Sequence, residues 1–215
     1  MSDSHASVLA HHFVDLDQQH EANILGMWTF LVTEVMFFGG MFAVYLIYRF
    51  AYSDVFAEAS RHLDVRLGTI NTGVLLCSSL TMALAVHAVQ TSKRKLAVTF
   101  LLATIVLGSI FLGIKGLEYY HKFEEHLIPG SNFIYEGLDP QKAQLFLGLY
   151  LTMTGFHALH MIIGIAVIAY FAVGAWRGWY SSENYTPVEM LGLYWHFVDI
   201  VWVFLFPLLY LIGQR

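Results

Sequence analysis

Charge is scarce in this sequence. Asp, Glu, Lys and Arg make up 13% of its 215 residues, hydrophobic residues make up 57%, and mean hydropathy is +0.59. That balance excludes a water-soluble domain of ordinary composition and predicts an integral membrane protein. Cysteine is nearly absent as well. The single Cys77 excludes a CxxCH haem attachment, an intrachain disulfide, a cysteine pair for binuclear copper and a four-cysteine cluster. Its place in an apolar run predicts an inert core thiol. No Pro-, Ser- or Gly-rich linker and no low-complexity stretch divides the chain, which predicts one bundle with a short tail.

Long uncharged runs are what the chain does have. A hydrocarbon core of about 30 Å needs about 20 apolar helical residues. Five runs meet that length: Ile24 to Tyr48, interrupted only by Glu34; Leu67 to Gln90; Leu96 to Ile114; Ala143 to Trp176; and Met190 to Gln214, interrupted only by Asp199. Transmembrane strands are excluded because the runs are continuous in apolarity, not alternating over about 10 residues. The expected fold is therefore an all-α membrane protein, a bundle of five transmembrane helices. A polar N-terminal tail is expected over 1–23 and the transmembrane domain over 24–215, with spans near 24–48, 67–90, 96–117, 143–176 and 190–213. Gly39, Gly40, Gly108, Gly113, Gly155, Gly164 and the pair Ser78 and Ser79 are candidate points of close helix approach, and Pro207 is expected to bend the last helix.

The first 23 residues hold no Lys or Arg and no signal with a basic head, so the first span is expected to direct its own insertion. His5, His11, His12 and His20 in this tail lack a regular ligand spacing, and a solvated tail is the stronger reading. For orientation, the compact Lys93, Arg94 and Lys95 group argues for a cytoplasmic loop and N-terminus. Arg49, Arg61 and Arg66, with Lys115, Lys122 and Lys142, vote the other way by plain count.

Several polar residues fall within or beside the runs. His87, His157, His160 and His196 are the candidate haem or metal ligands, with His157 and His160 three apart on one helix face and His196 and Asp199 likewise. Two imidazoles on different helices suit a bis-histidine haem, so a small b-type cytochrome is conceivable. The spacing alone favours hydrogen bonds between neighbouring helices. Glu34 carries more functional weight, because a carboxyl at that depth either sits protonated or is held charged by a partner such as a histidine. It is expected to point into the bundle and to handle protons, with a purely structural hydrogen bond as the alternative. A stand-alone proton-coupled transporter is a further reading, weakened by the lack of internal sequence symmetry.

Five stretches carry a family resemblance. WTFLVTEVMFFGGMFAVY resembles the third helix of subunit III of haem-copper cytochrome c oxidases, with its S/T-E-V-M/L-F-F pattern. LGTINTGVLLCSS is similar to the next helix, GLEYYHKF to the end of the following one, GFHALHMIIG to the penultimate, and YWHFVDIVWVFLFPLLYL to the last. The order and spacing hold from the end of the tail onward.

The resemblance implies a non-catalytic subunit of a proton-pumping terminal oxidase passing electrons from cytochrome c to oxygen. It implies no haem or copper on this chain, with both held by partner subunits I and II, and bound phospholipid. It also implies packing against subunit I, support of proton uptake, and a place in the bacterial inner membrane with cytoplasmic N-terminus and periplasmic C-terminus. A larger respiratory supercomplex is a further partner of this kind, and nucleic acid is not. Glu34 occupies the position known in the family for reacting with hydrophobic carbodiimides. His157, His160, His196, Asp199, Asn71 and Glu118 are then expected in intramembrane polar packing or lipid contact. The chain departs from the seven-helix form in starting at the third helix, which leaves open the lipid-filled cleft of that form. Subunit III of quinol oxidases, or of a nitric-oxide-reductase-associated homologue, is the alternative, and TEVMFFGG favours the cytochrome c branch.

Overall fold

The structure is a computed structural model that describes residues 15–130, 133, 135, 137–211 and 213. His5, His11 and His12 lie outside the described residues. Among those described there is no strand, and six helices follow one another: α1 (Leu16–Ala51), α2 (Ser53–Ser60), α3 (Val65–Gln90), α4 (Arg94–Glu124), α5 (Pro140–Arg177) and α6 (Thr186–Tyr210). Five of them are long and apolar enough to cross a membrane, and α2 is a short helix in the first loop.

Aspartates start three of the long helices. The carboxylates of Asp15, Asp64 and Asp139 accept from backbone N–H groups of the first turns of α1, α3 and α5, filling donors that a helix start leaves free. Pro140 follows Asp139 at the first helical position, where its missing N–H costs nothing. The Asp15 cap carries α1 back to Leu16, so residues 16–23 are helical where a tail is expected. At 36 residues α1 is about 54 Å long and must project beyond the hydrocarbon. His20 on this projection hydrogen-bonds Thr186 at 3.1 Å, tying it to the start of α6. At the same end of the bundle Gly178 takes φ +84 to close α5, a left-handed conformation that glycine adopts without strain.

The core is organised around α6, which touches α3, α5 and α1. Of the most apolar 18-residue window, 44% is buried in α6 and 17% in α1. Helix α1 is therefore the outlying member. It buries Leu31, Phe38 and Tyr45, seven apart on one face, and Tyr45 donates to the Leu208 carbonyl of α6. In the first loop, Phe56 of α2 packs edge-on against Phe146 of α5.

Trp195 is the keystone of α6. It is fully buried, its indole N–H donates to Ser78 Oγ of α3 at 3.1 Å, and its ring lies over Gly108 of α4 and Gly164 of α5. A Cβ at Gly108 or Gly164 would stand 3.0 or 2.9 Å from that ring, so these two glycines are the close approaches the sequence predicts. Gly39, Gly40, Gly113 and Gly155 have nothing within 4 Å of an added Cβ. Because the indole is anchored at Ser78, Gly164→Val is expected to destabilise the bundle by about 1–3 kcal/mol, the range for overpacking a filled core. Gly155→Val is the matched control, and equal thermal stability of the two variants in detergent would remove Trp195 from this role.

Two expectations are corrected. Cys77 is exposed on the outer surface of α3 and is not a core thiol, because Ser78 next to it takes the inward position against Trp195. Lys115 and Lys122, counted in the sequence among the charges that vote on topology, are buried in α4, 3% and 6% exposed, so they are groups of the bundle interior and not topology-setting surface charges.

Candidate functional site

The first polar site in the bundle joins α1 to α5. Glu34 Oε2 stands 3.0 Å from His160 Nε2, with the side chains 18% and 14% exposed. Helix periodicity accounts for the approach, since Glu34 lies one turn before the buried Phe38, whose ring packs edge-on to the His160 imidazole. Phe37 packs against Phe38, Phe156 and His160.

The tautomer follows from the second ring nitrogen. His160 Nδ1 is 2.8 Å from the Phe156 carbonyl, which can only accept, so Nδ1 carries a proton. Nε2 then either accepts from a protonated Glu34 or, when protonated itself, donates to the Glu34 carboxylate. Both arrangements hold one exchangeable proton between the two groups, and both are neutral overall. Tyr194 of α6 donates to the His160 carbonyl at 2.9 Å and so fixes this stretch of α5. Beside Tyr194 an apolar cavity of about 270 Å³ opens between α1, α5 and α6, lined among others by Met27, Phe30, Ile163 and Met190.

The second site joins α4, α5 and α6. Lys115 Nζ donates to Glu118 Oε2 at 3.0 Å, to the Tyr150 hydroxyl at 3.0 Å and to the Tyr210 hydroxyl at 2.7 Å. Both hydroxyls donate in turn to Glu118 Oε1, at 2.8 and 2.6 Å. All three ammonium protons are thus matched, and the ion lies about 5.2 Å from the ring centroids of Tyr119 and Trp202. Burial of the pair is tolerable because every donor and acceptor in it is used. Glu118 also lines a polar cavity of about 260 Å³ with Arg61, His62, Asp64, His121 and Lys122.

The remaining expected residues fall apart from one another. His157 is fully buried against the contacting rings of Phe111 and Trp202, ring centroids 5.5 and 5.2 Å away, and neither ring nitrogen has a hydrogen-bond partner. Packed this way, it presents no open side to a haem. Its neighbour three residues on, His160, faces Glu34, so the shared helix face leads to two different surroundings. His196 Nδ1 meets Ser79 Oγ of α3 at 2.7 Å, and the Asp199 carboxyl oxygens are buried without a hydrogen bond, so the expected His196–Asp199 pair is not formed. Asn71 Nδ2 donates to the Phe111 carbonyl. His87, the fourth candidate ligand, is exposed near the end of α3. Among the described residues no three of His, Cys, Asp and Glu converge so as to hold a metal ion.

Lys115, Tyr150 and Tyr210 are not foreseen from the sequence. The legible signal is the repeated Lys-x-x-Glu at 115–118 and 122–125, seven residues apart, which puts two ion pairs on one face of α4.

The profile of the family described as cytochrome c oxidase subunit III matches residues 6–214. A cytochrome c oxidase subunit 3 of Thermostichus vulcanus is 32% identical over 209 residues, covering 94% of this chain and 94% of that protein. A probable quinol oxidase subunit 3 of Staphylococcus saprophyticus is 29% identical over 210 residues, covering 96% and 98%. The cytochrome bo(3) ubiquinol oxidase subunit 3 of Pseudomonas aeruginosa is 29% identical over 203 residues, covering 93% and 90%. Since the match runs through every helix that builds the two polar sites, the chain belongs to the cytochrome c oxidase subunit III family.

Proposed function

We propose that this chain is the accessory subunit III of a haem-copper terminal oxidase of the cytochrome c branch. In this reading it carries no redox centre. Haem and copper reside in subunits I and II, and the chain stabilises subunit I, sustains proton delivery to it and binds phospholipid. The membrane is the bacterial inner membrane, with the N-terminus cytoplasmic and the C-terminus periplasmic. The observation that carries the reading is the head-to-tail match to subunit III. The Glu34–His160 pair supports the proton role, because it holds one exchangeable proton within the membrane on the most exposed of the spanning helices. The quinol branch is the second reading, supported by the relatives at 29% identity.

Recovery of the tagged chain from its native membrane in mild detergent tests this. The expected result is co-purification of two larger subunits with haem and copper, seen in a reduced-minus-oxidised spectrum and by metal analysis. A partner carrying a binuclear copper centre identifies cytochrome c as donor, and its lack identifies quinol. A chain that comes down alone and colourless overturns the proposal.

A further inference from the structure

The exposed face of α6 holds one feature that neither the proton pair nor the lysine cluster uses. His196, Ile200, Val203 and Pro207 follow at spacings of four, three and four, so they lie along one side of the helix. Ile200, Val203 and the adjacent Phe204 are exposed and apolar, as are Leu76 and Leu80 of the neighbouring α3. His196 is half-buried among them. It lies near the middle of a 25-residue helix, and its partner Ser79 lies near the middle of the 26-residue α3, so both sit at mid-depth in the hydrocarbon.

Ser79 occupies His196 Nδ1, while Nε2 is neither buried nor hydrogen-bonded among the described residues. One turn deeper, Asp199 holds two buried oxygens without a hydrogen bond, with Ser79 beside its carboxyl. The Asp199 oxygens are closed off from the surface, so the hydrogen-bonding capacity this face offers is His196 Nε2, at a depth where acyl chains offer no partner and lipid headgroups do not reach. A row spaced four-three-four is also the pattern into which a second helix packs.

We infer that this face receives a transmembrane helix of a partner oxidase subunit, which brings a polar side chain to His196 Nε2 at mid-membrane. The inference rests on the oxidase reading and adds to it the surface of contact. The imidazole sets the register of the incoming helix, and Ile200, Val203 and Phe204 supply the apolar contact around it. Acyl chains would leave Nε2 unbonded, which is why the occupant is protein.

The test is made on the complex in its native membrane. A benzophenone amino acid at Ile200 of the tagged chain is expected to cross-link, under light, to a haem-bearing partner subunit. In detergent, His196→Leu is expected to lower the haem recovered with the tag about fivefold, the equivalent of one intramembrane hydrogen bond, and His196→Gln to restore most of it. Haem recovered with the unaltered chain, together with cross-links confined to lipid or to a second copy of this chain, overturns the inference alone. Full haem recovery with His196→Leu does the same. An unaltered chain that brings no haem overturns the oxidase reading and this inference with it.

Discussion

Lys115→Met is expected to destabilise the bundle by about 3–5 kcal/mol, the usual cost of removing one partner from a buried ion pair. The variant leaves the Glu118 carboxylate, 2% exposed, with two tyrosine hydroxyls and no cation. Glu118→Leu leaves the ammonium with no counter-ion and is expected to cost a similar amount. Combining the two removes both charges at once, and much of the loss should return, because an apolar pair in that space has no desolvation to overcome. Thermal unfolding of the purified complex in detergent reads all three. Single variants as stable as the unaltered protein would mean that Lys115 and Glu118 do not share this site. Tyr150→Phe and Tyr210→Phe should each cost about 1.5–3 kcal/mol, since each deletes hydrogen bonds to charged groups.

Glu34→Gln is expected to reduce labelling of this chain by a hydrophobic carbodiimide to background while the complex stays assembled. The reagent takes protonated carboxyls in apolar surroundings, and Glu34 meets both requirements when it carries the proton it shares with His160. His160→Leu is the informative companion. It removes the imidazole, and with it the ion-pair alternative, while leaving the Glu34 carboxyl in place, so labelling should persist. Labelling that survives Glu34→Gln would move the reactive carboxyl elsewhere, with Glu118 and Asp199 the buried acids among the described residues. Loss of assembly in Glu34→Gln would instead make the carboxyl structural.

The two sites differ in how far they can be read from one dimension. Glu34 stands out because a carboxyl within 25 otherwise uncharged residues is costly, and that cost is a property of the local sequence. Lys115 does not stand out, because it lies just past the uncharged run ending at Ile114 and reads as an interfacial charge. Only the approach of Tyr150 and Tyr210, 35 and 95 residues away, turns it into the centre of a buried network. The pairing of His196 with Asp199 fails for a related reason. Residues three apart share a helix face, but Ser79 on α3 offers a hydroxyl at 2.7 Å and takes the imidazole.

The class of the protein and the number of spanning helices are legible in one dimension, because run length against bilayer thickness and the demand for internal backbone hydrogen bonds leave one solution. The apolar runs do not reach the true starts of three of those helices, which lie at Leu16, Val65 and Pro140, because aspartate caps outside the runs set them. The tertiary structure decided which polar residues meet. His160 rather than His157 faces Glu34, Gly108 and Gly164 rather than the other glycines admit Trp195, and Cys77 faces outward. Those outcomes depend on the rotation of each helix about its own axis, which is set by packing against neighbours distant in the chain, and a single apolar run does not encode that angle.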